Sequence, residues 1–183
     1  MLWAACCLCF YGFLRAGEIT VPSEAGYDSS VHLNMGDISV DNADNPTVVK
    51  EKIKASKSDQ FRKGVDIFVG RTYNQLCPVE ALMAYVAVRG QDDGLFFHFK
   101  DNRLLTKGRF VTSVREALSA AGIDAKKFAG HSFRIGAATT AARKGISAEK
   151  IQTLGRWESS AYLLYIRLSR EELSSVSKVL SSN

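Results

Sequence analysis

Apolar residues fill the opening stretch MLWAACCLCFYGFL on nearly every side of a helix drawn through it. The pattern predicts one helix over residues 2–20, broken by Pro22, Gly26 and a Ser/Asp cluster. A helix with no polar stripe belongs in a core. This one is too short to cross a bilayer and ends in Arg15 and Glu18. It also lacks the basic leader and clear cleavage site of a signal peptide. The period then changes. A short strand is expected within 31–40 and a turn at 42–46. Two β-branched runs, 48–54 and 65–69, flank SKSDQFRKG and predict a β-hairpin with a polar, basic tip. Helical spacing returns behind Pro78 with Val79, Leu82, Met83 and Val86. After a short apolar segment at 94–99, Thr106 is placed to cap a helix bearing Phe110, Val114 and Leu118, which Gly122 closes. His131 opens an alanine-rich helix ending at Gly145. Ser147 caps another, with Glu149 in its first turn. A short helix over 159–168 and an amphipathic one over 171–180 complete the chain.

The expected fold is mainly α with a small antiparallel β-sheet (α+β), as one domain over 1–183. No repeat, low-complexity tract or linker interrupts it. Composition adds little: of 183 residues, 46% are hydrophobic and 23% charged, ordinary for a globular protein. The net charge of +5 suits a polyanionic partner without demanding one. Cys6, Cys7 and Cys9 crowd one apolar segment and Cys77 stands apart, with no CxxC metal spacing. They read as reduced, buried small side chains of an intracellular protein. Carboxylates do not cluster at metal-ligand spacing either, so the expectation is no metal and no other cofactor.

The chemistry concentrates in GHSFRIGAATTAARKGISAEKIQTLGRWESSAYLLYIR, residues 130–167. His131 and Arg134 stand one helical turn apart. Trp157, Tyr162 and Tyr165 follow. A guanidinium that forks onto phosphate, an imidazole beside it and a nearby phenol are the parts for attacking a phosphodiester with tyrosine. Arg15, at the end of an apolar helix, needs a partner for its charge. With Arg134 it can grip one phosphate, each donor being worth roughly 3–4 kcal/mol of transition-state stabilisation. Glu18 lies on the same helix face as Arg15. Tyr162 and Tyr165 are one turn apart, so spacing does not choose between them. Lys50, Lys52, Lys54, Lys57, Arg62 and Lys63 make the hairpin region a basic loop suited to phosphate contacts.

HSFR followed by LGRW and YIR resembles the catalytic domain of the tyrosine recombinase (phage integrase) family, and GFLRAGEI resembles the segment carrying that family's first arginine. The wording is especially similar to recombinases of DIRS-type and Crypton-type mobile elements, and to Cre. The resemblance spans nearly the whole chain. It implies Arg15, Lys57, His131, Arg134, Trp157 and Tyr165 as the catalytic set. His131 would transfer a proton, Lys57 would protonate the leaving 5′-oxygen, and Tyr165 would be the nucleophile, leaving Tyr162 to packing. Glu18 would support the site. Lys54 is the alternative to Lys57. Many members carry a histidine where this chain has Gly155-Arg156-Trp157, so the phosphate donor there is Trp157 or Arg156. Lys54, Arg62, Lys63 and Arg156 are the expected DNA contacts.

The activity implied is site-specific cleavage and rejoining of DNA through a 3′-phosphotyrosyl link. The implied partners are double-stranded DNA and further copies of the chain, a tetramer on DNA, with no membrane. The resemblance also leads to the expectation that the separate N-terminal DNA-clamp domain usual in the family is absent. The compartment implied is the nucleus of a eukaryote, or the cytoplasm of a prokaryotic or phage host. Two other readings stay open: a non-catalytic DNA-binding remnant of a transposon recombinase, and relaxation of DNA in the manner of a type IB topoisomerase. The C-terminal helix would dock on a neighbouring protomer or pack on its own domain.

Overall fold

The structure is a computed structural model that describes residues 1–55 and 63–167. Helix α1, Leu2–Tyr11, lies at its centre and packs against α3, α4 and α5. Its apolar surface requires neighbours on several sides, and Ala4, Ala5, Cys7, Leu8 and Cys9 are all buried.

The single helix expected over 2–20 is two. The chain leaves α1 at Gly12 and Phe13, then resumes as the four-residue helix α2, Ala16–Ile19. The break is a Schellman turn. Phe13 N–H donates to Phe10 at 3.2 Å, Leu14 N–H donates to Cys9 at 2.9 Å, and both Leu14 and Cys9 are buried. Phe13 itself takes the left-handed conformation, φ 53°, where glycine is usual. That choice costs about 1–2 kcal/mol. No glycine or proline at the left-handed position announces the stop, which is why the sequence pattern runs through it. Arg15 is therefore not the last residue of a long helix. It sits in extended backbone just ahead of α2.

The sheet has strand order β1-β2-β3, antiparallel throughout: β1 Ile38–Val40, β2 Val48–Ile53 and β3 Val65–Gly70. This is the predicted hairpin plus one strand from the 31–40 stretch. In β2, Val49, Glu51 and Ile53 are buried while Lys50 and Lys52 point away, as a period of two dictates. The hairpin tip, 56–62, lies outside the described residues, and Lys57 and Arg62 with it.

Helix α3, Pro78–Arg89, starts on its proline. Helix α4, Lys107–Ala120, is capped by the Thr106 hydroxyl, which accepts from Arg109 N–H. Helix α5 is Ser132–Arg143 with His131 at its N-cap, and α6, Ala148–Gly155, is capped by Ser147. The helix expected over 159–168 is a 3₁₀ helix, Ser160–Tyr165. The expected helix over 171–180 falls outside the described residues.

Two apolar clusters hold these elements. The larger joins α1 and α3 to the inner face of the sheet and to Phe96, Phe97 and Phe110. The smaller joins Phe13 to Ala137, Ala138 and Ala141 of α5, Ile151 of α6, and Trp157 and Tyr162. The turn after α1 lies where they meet. All four cysteines are free. Burial pushes the Cys6 and Cys7 thiols up to about 12 and about 11, so they stay protonated and inert. No helix among the described residues is long and apolar enough to cross a membrane.

Candidate active site

The turn between α1 and α2 builds the site. Its backbone carbonyls at Gly12 and Phe13 lie at the C-terminal, negative end of α1, where carbonyls lack helical partners. Each takes an arginine. Arg156 Nη1 donates to Gly12 O at 3.2 Å, and Arg134 Nη1 donates to Phe13 O at 3.3 Å. This use accounts for a left-handed Phe13: it aims two orphan carbonyls at two guanidiniums more than a hundred residues away in sequence.

Arg134 is fully buried. Its Nη2 donates to the Gly155 carbonyl, and its guanidinium carbon lies 4.2 Å from the centre of the Trp157 ring. Its Nε has no hydrogen-bond partner among the described residues. Among the described residues it makes no ion pair. Desolvation first, then the nearby Arg15 and Arg156 charges, push its pKa down to about 10, with Glu18 and Tyr165 opposing. It remains a cation at neutral pH, one that is held by carbonyls and an aromatic face.

Glu18 is the carboxylate of the cluster. Buried on α2, it accepts from Arg15 N–H at 2.7 Å, from Arg15 Nη1 at 3.2 Å and from Arg156 Nη2 at 2.9 Å. The sequence reading has Glu18 supporting the site beside Arg15, and does not include the bond from Arg156. Two guanidiniums, those of Arg15 and Arg156, thus share one carboxylate, with Arg134 beside them. Arg15 keeps 29% of its side chain exposed, so it is the member open to solvent.

Arg156 also sits in left-handed backbone, φ 56°, and closes α6 with a second Schellman turn: Arg156 N–H to Thr153 and Trp157 N–H to Gln152. This turn directs Arg156 inward to Glu18 and lays the Trp157 indole across Gly155. A Cβ on Gly155 would fall 1.5 Å from the ring. Gly155→Ala is expected to displace Trp157 and cost about 2 kcal/mol or more, as overpacking does. Denaturant unfolding followed by tryptophan emission checks this. Wild-type stability and emission would place the ring elsewhere.

Tyr162 and Tyr165 lie three apart on the 3₁₀ helix, so they share a face, and both rings pack on Trp157, with centroids at 6.2 and 5.2 Å. Tyr162 is buried in the smaller cluster, while Tyr165 lies at its partly open edge. Helix α5 pins the tyrosine backbone: Thr139 Oγ1 donates to Tyr165 O at 2.9 Å and accepts from Arg167 N–H at 3.2 Å. Thr139 was missed in the sequence reading, being one of two threonines in an alanine-rich run.

His131 is exposed at the start of α5, and its ring makes no hydrogen bond among the described residues. It stands next to the Arg15 segment, because Ala16 N–H donates to the Gly130 carbonyl at 3.1 Å. Gly130 packs against Ala16, with room for little more. Arg15, Glu18, His131, Arg134, Arg156, Trp157 and Tyr165 are therefore gathered by the ends of α1, α5 and α6. The lysines divide. Lys54 turns away to Asp37 Oδ2 at 2.6 Å and Ser29 O at 2.7 Å, and Lys63 is exposed ahead of β3. Among the described residues no His, Cys, Asp and Glu side chains group to hold a metal ion.

A further residue escaped the sequence reading. Glu51 is completely buried, near enough to feel the Glu18 and Arg156 charges, and neither carboxylate oxygen has a hydrogen-bond partner among the described residues. The signal was present: in Val49-Lys50-Glu51-Lys52-Ile53 the alternation puts one carboxyl on the apolar face.

This fold and its arginine–tyrosine site place the protein in a known class. The chain belongs to the phage integrase family, whose model matches residues 4–171. Its fold is similar to three solved structures. The XerA recombinase has a TM-score of 0.68 and 19% identity, over 96% of this chain and 55% of that one. The XerH site-specific recombinase, in a pre-cleavage complex with its difH substrate, has a TM-score of 0.65 and 16% identity, over 98% and 46%. The Tn1549 transposon integrase, in complex with circular intermediate DNA, has a TM-score of 0.55 and 11% identity, over 98% and 57%. The chain spans about half the length of these proteins. No curated protein sequence matches it.

Proposed function

We propose that the chain is the catalytic core of a mobile-element recombinase that cuts and rejoins double-stranded DNA through Tyr165. The observation that carries this is the buried Arg134, a cation without an acidic partner among the described residues, beside two more guanidiniums that share one carboxylate. Such a cluster has positive charge in excess of its own anions and suits a phosphate.

The Tyr165 oxygen attacks the scissile phosphorus and forms a P–O bond. The bond to O5′ breaks, leaving a 3′-phosphotyrosyl link and a 5′-hydroxyl. Arg15 and Arg134 stabilise the charge on the non-bridging oxygens, and the Trp157 indole N–H adds a donor. His131 handles the tyrosine proton. Lys57 supplies the proton for O5′. Lys54 is less suited to that task because its ammonium is already bound by Asp37. A 5′-hydroxyl from a partner strand then attacks the link and restores tyrosine, so no external energy is used. Exchange between two duplexes requires further copies of the protein, in a tetramer on DNA.

The test is covalent capture on a pool of duplexes randomised in sequence and nicked at one position, so that the short strand beyond the cut diffuses away. Wild type is expected to give an SDS-resistant adduct that maps to the Tyr165 peptide, and Tyr165→Phe to give none. Salt-dependent binding with no adduct at any position points instead to a DNA-binding remnant. Adducts accompanied by plasmid relaxation but no two-site exchange point to a topoisomerase.

A further inference from the structure

Glu51 occupies a position built for an aliphatic side chain. It lies in the middle strand, opposite Ile38 of β1 and Ile67 of β3, between Val49 and Ile53 on the inner face. A buried carboxylate with no donor is strongly disfavoured. A valine or leucine there would add to the core without that cost. The groups that act on it come from every side. Glu18 on α2 and Asp37 just ahead of β1 are like charges, Arg156 after α6 is the opposing one, and Cys9 on α1 feels both Glu51 and Glu18. Asp37 is itself occupied by Lys54, and on the outer face Lys50 pairs with Asp66. Burial, with Glu18 and Asp37 adding, pushes the Glu51 carboxyl up to about 8.

We infer that Glu51 is a proton-loaded charge gate beneath the arginine cluster, holding the site's positive charge in excess while protonated and cancelling part of it when ionised. This rests on the recombinase reading, in which the cluster grips a DNA phosphate. With its proton on, Glu51 leaves Glu18 as the carboxylate shared by Arg15 and Arg156. With its proton off, a second anion stands near Arg156 and repels the phosphate. The ionised fraction grows as pH rises, so the grip weakens toward alkaline pH. Linkage is reciprocal: a bound phosphate favours protonated Glu51, so DNA binding near pH 8 takes up protons. Glu51 touches no DNA in this scheme. It is a positioning residue that acts through the guanidiniums.

The experiment compares the full chain with Glu51→Gln, which keeps the shape and cannot ionise. A dye-labelled random-sequence duplex is titrated at constant ionic strength from pH 6.5 to 9. Calorimetry at pH 8 in buffers of different ionisation enthalpy counts the protons. The N-terminal amine and Cys77 are present in both proteins, so the difference between the two curves is the readout. Wild type is expected to lose roughly tenfold in affinity relative to Glu51→Gln across this range. It should take up part of a proton on binding, which the variant does not. Binding by both proteins with parallel pH curves and equal proton counts overturns the gate and leaves the recombinase reading standing. Absence of duplex binding by both at every pH overturns the two together.

Discussion

Arg134→Ala is expected to cost about 4 kcal/mol of folding stability, a large part of the 5–15 kcal/mol that holds a domain together. The opposing effects can be weighed. Removing the guanidinium relieves the desolvation of one buried cation. It also strands the Phe13 and Gly155 carbonyls, strips the face of Trp157 and opens a hole in a side chain's volume. Each stranded carbonyl costs about 1–3 kcal/mol, and the ring contact is worth up to about 2. The losses exceed the relief. Arg134→Lys keeps the charge but not the fork, so it should lose less, about 2 kcal/mol, while covalent adduct formation still falls by roughly 10²-fold or more. Urea unfolding and nicked-duplex capture on both variants measure these separately. An Arg134→Ala protein within 0.5 kcal/mol of wild type, on the scale of ordinary surface changes, would refute the anchoring role.

Glu51→Gln is expected to act in the other direction and stabilise the fold, by about 3 kcal/mol at pH 7. The ordinary glutamate value is 4.5, and the folded carboxyl lies at about 8. Below 4.5 both folded and unfolded chains hold the proton, and the substitution gains nothing. As pH rises, the unfolded chain ionises first and is favoured. The wild-type deficit therefore accumulates between about 4.5 and about 8, then levels off. Glutamine has no proton to lose, so its advantage follows the same curve. Thermal melts of the two proteins at pH 4, 7 and 9 trace it. A uniform offset at all three values would mean that Glu51 is not held protonated by the fold. A natural protein that keeps so costly a group invites a functional reason, and proximity to Arg156 and Glu18 supplies one.

Local chemistry made most elements legible. Pro78, Thr106 and Ser147 start their helices because a missing N–H or a side-chain acceptor suits a helix N-terminus wherever it occurs. The hairpin followed from alternation. Arg15, His131, Arg134, Trp157 and Tyr165 were legible as a set through their motifs. The stop of the first helix was not, since Phe13, which takes the left-handed position there, is a type that seldom adopts it, as is Arg156 at the end of α6. Their strain is repaid by contacts formed only after α5 and α6 dock on α1. Nor could spacing tell which way Arg156 faces, or that the helix carrying the two tyrosines is a 3₁₀ helix.

By itself, then, the sequence determined where most helices and strands begin, which face of each is apolar, and which side chains carry the family's motifs. These depend on neighbours within a few positions. The tertiary structure alone decided that Arg15 and Arg156 share Glu18, that two helix-end carbonyls anchor Arg134 and Arg156, and that Glu51 is sealed in the core without a hydrogen-bond partner among the described residues. Those are matters of charge, burial and orphan carbonyls, and each is set by groups brought together from distant parts of the chain.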